Sequence, residues 1–320
     1  MDEQQLREHI FGKITELKEN GYAYIDLVDI GFITEKEILR MQEICMNYYY
    51  KYFTDRGLAL EDIEIDLTKK MEKNPYFKQP KDSPMFKAMY GAVSKAGKEY
   101  INTRRPANAM GCGMGKATSA PEVYHDKELC AFTEKFRPLY NALYQSPVKR
   151  HLARFGLKLP HSTSRDMMSH VDMCYCKEYR DNLPKMSSPD DPKSFGPYAD
   201  DGRIIRVQSV LGLSNSSSGW YGYEKSHTKY SEIGDALGWP GIKHGPQPVS
   251  TNVLKKLGLQ RVDIPTKIGR WILWNSGIVH GNSVCKNTTP RLVKYLNFRA
   301  DEKDTTADKI IGLGNQPNEK

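Results

Sequence analysis

Apolar positions in the first half of the chain recur at helical spacing. Leu6, Ile10, Ile14 and Leu17 follow one another at steps of four, four and three, the stripe of an amphipathic helix, and Asn20-Gly21 supplies its end. Tyr22 to Val28 reads as a strand. The next helix starts at Thr34-x-x-Glu37, a capping box, with Ile38, Met41, Ile44 and Cys45 on its inner face. A helix over Ser83–Tyr100 opens on Pro84, and a single helix over Asp126–Tyr144 aligns Leu129, Phe132, Phe136, Leu139 and Leu143. From Phe155 the period shortens to that of strands, predicted over Asp166–Tyr175, Arg203–Leu213, Ile264–Leu273, Ile278–Asn282 and Arg291–Arg299. In Arg203–Leu213, alternation puts Arg206, Gln208 and Val210 on one face and Ile205, Val207, Ser209 and Leu211 on the other. Ser214–Gly219 reads as a turn, and Gly234–Val262 as an irregular connection with a short helix near Asn252–Leu257. Helices first and strands afterwards predict an α+β chain with a mainly β core.

Composition narrows the class. In 320 residues, 39% hydrophobic and 10% aromatic, there is material for one large core or two modest ones. The absence of an ~18-residue apolar run argues against a membrane span, and the opening Met1-Asp-Glu-Gln-Gln lacks the basic and apolar regions of a signal peptide. A cytoplasmic protein is therefore expected. Six cysteines are too sparse for a disulfide scaffold at this length. The net charge of +8 is spread without long runs, which suits anionic small molecules. No basic stripe with interleaved aromatics favours a nucleic-acid partner.

Two glycine- or cysteine-bearing stretches resemble known sites and fail their patterns. Asn108–Ser119 carries Gly111, Gly113, Gly115 and Lys116, but an alanine follows the lysine where a phosphate loop needs Ser or Thr. It reads as a loop near the active-site mouth. Cys174 and Cys176 have no second cysteine pair to close a zinc site, and read as pocket wall. Ser169-His170-Val171-Asp172-Met173 carries more. On a strand, His170 and Asp172 point the same way, roughly 7 Å apart, so both reach one ion. A second histidine, His280, from a later strand would complete two imidazoles and one carboxylate on one face of a metal, the ligand set of non-haem iron(II) oxygenases.

The downstream segment carries a family resemblance. Trp274-Asn-Ser276-Gly-Ile-Val-His280-Gly281 is followed, eleven residues after His280, by Arg291 in Thr289-Pro290-Arg291. Together with His170-Val-Asp172, this order resembles the phytanoyl-CoA dioxygenase-like branch of the iron(II)- and 2-oxoglutarate-dependent dioxygenases. The resemblance covers roughly Gly156–Arg299, with weaker similarity in the "helix, Glu-Asn-Gly-Tyr turn, strand, helix" opening. It implies a double-stranded β-helix (jelly-roll or cupin-like) barrel over 151–299, helical support over 1–150, and one catalytic unit over 1–299 with a polar tail at 300–320. It implies iron(II) on His170, Asp172 and His280, 2-oxoglutarate and O2 as cosubstrates, and Arg291 as anchor of the distal carboxylate, with Asn282 or Thr289 as further donors. His227, in Ser226-His227, matches a family turn outside the metal sphere, although Glu224-Lys225 replaces the usual Pro-Gly there. His125, His151, His161 and His244 lack a carboxylate two residues on and read as surface or packing.

Gln208 is expected either to contact cosubstrate or substrate or to make a structural hydrogen bond. Tyr175, Trp220 and Trp274 are expected around the substrate, with Met167, Met168 and Tyr198 as further lining. The polar loop Lys177–Asp201 either folds over substrate or is a solvated insertion. Retention of Asp172 favours hydroxylation of a small metabolite over halogenation. The rival classes are an oxygenase acting on protein side chains or nucleic-acid bases, and a non-catalytic binding member of the same fold.

Overall fold

The computed structural model describes residues 3–55, 57–71, 84, 121–144, 148–160, 166–172, 207–238, 247–284 and 288–300. The helix expected over 83–100 (apart from Pro84), the glycine-rich loop, Tyr175, the cysteine pair at 174 and 176, the 177–201 loop, Tyr198, His161, His244 and the polar tail beyond Ala300 lie outside the described residues.

Helix α1 (Glu3–Asn20) buries Ile14 and Leu17 and ends at Gly21, whose φ of +84° is the left-handed conformation a helix end uses. Strand β1 (Tyr22–Asp26) follows, then α2 (Glu35–Thr54). The capping box at its start is formed: Thr34 Oγ1 accepts from the Glu37 N–H, and Thr34 N–H donates to Glu37 Oε2. The helix expected over 126–144 is two. Asp126 caps α4 (Lys127–Glu134), which follows the short α3 (Pro121–His125), and α5 (Arg137–Tyr144) restarts after Lys135-Phe136. Pro138 lacks an N–H and is tolerated only near a helix start, so the break falls just before it.

Ten strands are assigned among the described residues, in two antiparallel five-stranded sheets. β2 (Val148–Lys158), β4 (Val207–Gly212), β8 (Arg270–Asn275) and β10 (Arg291–Ala300) join β1 in the order β1-β8-β4-β10-β2. β3 (His170–Val171), β5 (Ser216–Tyr223), β6 (Gln247–Pro248), β7 (Arg261–Thr266) and β9 (His280–Asn282) form the second sheet, in the order β6-β3-β9-β5-β7. Helices α6 (Tyr230–Ala236) and α7 (Thr251–Lys256) occupy the connection from β5 to β7.

Two expected boundaries change. Ile264–Leu273 is not one strand: the chain turns at Lys267–Gly269, with Gly269 at φ +76°, and passes from one sheet to the other. The expected turn over Ser214–Gly219 is mostly strand β5, because the serine hydroxyls find partners in neighbouring segments. Ser216 Oγ donates to Thr289 O and Ser218 Oγ to Ser283 O, both at 2.9 Å.

The first sheet separates two packed layers. One face, with Val207, Leu211, Trp271, Leu273, Leu292 and Leu296, packs on the helices. The other, with Val210, Ile272, Trp274 and Val293, packs on Trp220 and Ile264 of the second sheet. The alternation read for Gln208 and Val210 against Val207, Ser209 and Leu211 is the observed one. No helix of the described residues is long and apolar enough to cross a membrane.

Candidate metal centre

β3 and β9 are neighbours, and their register sets His170 directly opposite His280. Asp172, two residues after His170, completes the group: the three ligand atoms lie within 4.8 Å of one another. Asp172 Oδ1 is 3.4 Å from His170 Nε2, and Asp172 Oδ2 is 3.4 Å from His280 Nε2.

Each imidazole is held by its other nitrogen. His170 Nδ1 is 2.9 Å from Met168 O, and His280 Nδ1 is 3.0 Å from Ile278 O. A carbonyl can only accept, so Nδ1 carries the proton and Nε2 presents its lone pair inward. Burial disfavours a charge on His170, yet Asp172 outweighs it and raises the affinity for a proton above the ordinary histidine value. Burial likewise works against the Asp172 carboxylate, but the two imidazoles that face it hold its pKa well below the usual range. The group is therefore ionised at neutral pH and its field favours a cation.

The metal strand is braced from outside. Asp166 accepts from Arg261 Nη1 and from the Val284 N–H, both at 2.6 Å. Arg261 in turn lies over the Tyr221 ring at 4.0 Å, and the Tyr221 hydroxyl donates to Met167 O at 2.5 Å. These braces were missed in the sequence because they join residues 40 to 118 positions apart. Gly281 carries no Cβ because one would stand 2.5 Å from the Tyr221 hydroxyl.

Of the other expected site residues, Trp220 and Trp274 flank His280, with ring centroids 6.3 and 5.3 Å away, and both are buried. Gln208 pairs in register with Trp274 and shares its face. The Trp220 and Trp274 indole nitrogens and Gln208 Oε1 are buried without hydrogen-bond partners. Each such atom costs roughly 1–3 kcal/mol, so the two indoles beside His280, and Gln208 next to Trp274 in the ladder, carry polar atoms that the described residues leave unsatisfied. Arg291 is buried between the sheets and donates from Nε to Thr266 Oγ1 at 3.0 Å. Thr289, expected as a further donor to the distal carboxylate, directs its hydroxyl to Asn215 O, and the hydroxyl that Arg291 meets is that of Thr266. Asn282 lies at the rim, with Nδ2 3.6 Å from Met167 Sδ. Met167 and Met168 are exposed next to the ligand strand. His227 is outside the group, with Nε2 2.8 Å from Lys18 O, and His125 is exposed.

No protein-family profile and no curated protein sequence matches the chain. Among solved structures it is similar to the non-heme alpha ketoglutarate dependent epimerase SnoN from nogalamycin biosynthesis, at 11% identity over 98% of this chain and 94% of that one, with a TM-score of 0.47. It is similar to the carbocyclase SnoK of the same biosynthesis, at 11% identity over 93% and 89%, with a TM-score of 0.45. A third is EctD from S. alaskensis with 2-oxoglutarate and 5-hydroxyectoine, at 13% identity over 94% and 76%, with a TM-score of 0.47. These are neighbours in shape; the side chains of the centre carry the functional reading.

Proposed function

We propose that this chain is an iron(II)- and 2-oxoglutarate-dependent oxygenase of the phytanoyl-CoA dioxygenase-like branch, hydroxylating a small metabolite, with the two sheets as halves of a double-stranded β-helix in one catalytic unit over 1–299. The observation that carries the reading is the convergence of His170 Nε2, Asp172 and His280 Nε2, with both Nδ1 positions fixed by backbone carbonyls. Two neutral nitrogens and one carboxylate suit iron(II) and leave part of its coordination for other ligands. Iron(II) and 2-oxoglutarate, when bound with O2, supply the oxidising power for hydroxylation, with succinate and CO2 as coproducts.

The chain's own residues position and exclude. Met168 O and Ile278 O keep the imidazoles in the tautomer that binds metal. Arg291, steadied by Thr266, offers its guanidinium to the distal carboxylate of the dicarboxylic acid. Trp220 and Trp274 wall the compartment against bulk water; their indole N–H groups can donate to oxygen atoms of a guest, and Gln208 Oε1 can accept from a guest hydroxyl. Tyr175 is assigned with them to the substrate side on the sequence pattern.

Anaerobic titration of the iron(II)-loaded chain with 2-oxoglutarate, followed by a succinate-release screen over metabolites and peptides, tests the reading. A new charge-transfer absorption and substrate-stimulated succinate are expected. No absorption change and no succinate would sink the enzyme. Full activity in His280→Ala with loss in His227→Ala would overturn the ligand assignment.

A further inference from the structure

One rung of the first sheet carries polar groups across four strands. β8 and β4 set Trp274 opposite Gln208, and β1 sets Tyr22 opposite Trp274. β10 lies along the other edge of β4, with Val210 opposite Tyr295. One position on, Ser209 Oγ donates to Leu296 O at 2.8 Å, so the two strands stay side by side and the next pair in that register is Gln208 with Asn297. Leu296 and Phe298 both pack on the helices, which turns Asn297 to the inter-sheet face with Val293 and Tyr295.

Three atoms of this rung, Trp274 Nε1, Gln208 Oε1 and Asn297 Oδ1, are buried and make no hydrogen bond within the chain. Trp220 Nε1 joins them from the second sheet, its ring centroid 5.9 Å from that of Trp274. An indole N–H only donates and an amide oxygen only accepts. A carboxylate could serve the indoles but not the amide oxygens, and an ammonium could serve the oxygens but not the indoles. A hydroxyl does both. The rung itself is uncharged at neutral pH, since burial and Glu224 hold the Tyr22 phenol above its ordinary value.

The rung also lies away from the residue assigned to the distal carboxylate of the cosubstrate. Asn297 stands six positions beyond Arg291 on the same face of β10, roughly 20 Å of extended strand. A five-carbon acid is shorter than three residues of extended chain, roughly 10 Å. Held at Arg291, it does not reach Asn297. Trp274, by contrast, stands beside the metal ligand His280, with ring centroids 5.3 Å apart.

We propose that Trp274, Gln208 and Asn297 form a substrate-recognition rung, and that it takes a neutral metabolite bearing adjacent hydroxyl groups, of the polyol or glycoside class. This rests on the oxygenase reading above and deepens it. One hydroxyl accepts from the Trp274 indole and donates to Gln208, and its neighbour donates to Asn297. Neighbouring strands stand about 4.8 Å apart, a span that two adjacent hydroxyls cover.

The test is succinate release by the iron(II)-loaded full chain over three matched sets: neutral polyols and methyl glycosides, the corresponding aldonic and uronic acids, and the corresponding amino sugars. Stimulation is expected from the neutral set. For the best neutral compound, Asn297→Leu should raise KM by about 5- to 100-fold, the cost of leaving a buried hydroxyl without its acceptor. The affinity of the manganese(II)-loaded variant for 2-oxoglutarate, read by calorimetry, should stay within about twofold of wild type. Asn297→Leu and Gln208→Leu each remove an acceptor that the chain does not satisfy, so without substrate they should melt no lower than wild type. Stimulation confined to the acids or the amines, or by no set, overturns the proposal. So does an unchanged KM, an equal loss of 2-oxoglutarate affinity, or a lower melting temperature in both variants. A wild-type chain whose iron(II) form shows no charge-transfer absorption with 2-oxoglutarate overturns the oxygenase reading itself, whatever the rung binds.

Discussion

On β10, Leu292, Lys294 and Leu296 turn toward the helices, while Arg291, Val293 and Tyr295 turn toward the second sheet. Both faces are buried, yet they treat polar groups differently. On the helix side the apolar layer runs almost unbroken, and its polar atoms are consumed locally: Ser209 Oγ accepts from Trp271 Nε1 at 2.7 Å and donates to Leu296 O at 2.8 Å. Lys294 is the exception. It is fully buried with one weak bond, Nζ to Arg154 O at 3.4 Å, and burial pushes its pKa down to about 8. On the inter-sheet side, the Trp220 and Trp274 indoles flank His280, and Gln208 and Arg291 add an amide and a cation to the same layer. One face is finished by the chain alone; the other, on the proposed function, is completed by what it binds.

The sharpest way to break this contrast is at the ligands. His170→Ala or Asp172→Ala should weaken iron(II) or manganese(II) binding by at least about 1,000-fold, beyond the 10- to 100-fold typical of outer-shell changes, while circular dichroism retains the sheet signal. Calorimetric metal titration decides it. On the helix side, Trp271→Ala removes contacts to Phe136 and Tyr140 and should cost about 3–5 kcal/mol in chemical denaturation, leaving metal affinity unchanged.

Lys294→Met should act in the opposite direction, stabilising the fold by about 1–3 kcal/mol at pH 7. The pH dependence follows from the direction of the shift. Between about 8 and the ordinary lysine value of 10.5 the unfolded chain binds more protons at this site than the folded one, so wild-type stability rises with pH across that window. The advantage of the methionine variant should therefore be largest below pH 8 and shrink toward pH 10.5; denaturation curves at pH 7 and 10 check it. Smallest of all, Glu128→Gln, which cuts the exposed Arg40–Glu128 ion pair, should change stability by less than about 1 kcal/mol. A larger loss there would mean that the outer surface, rather than either buried face, sets the margin.

Much of the centre was legible in the sequence because it is local. The two-residue spacing of His170 and Asp172 needs only the period of a strand, and the capping box at Thr34 and the alternation at Gln208 are equally short-range. Asn297 was not legible, since nothing near it in sequence says which residue of β4 it will face; that is fixed by a register spanning more than eighty positions. Thr266 and the Asp166–Arg261 brace escaped for the same reason. Pro138 was in view, and its break was missed because the apolar stripe on either side keeps helical phase.

The rung that sets His170 against His280 joins residues 110 positions apart through a β3 of only two residues. An ion gripped by both would act as a removable staple across that span, holding the folded chain by an amount that grows with free metal concentration. Purified chain stripped by a chelator should accordingly melt earlier than loaded chain, and opening should begin where the short rung lies.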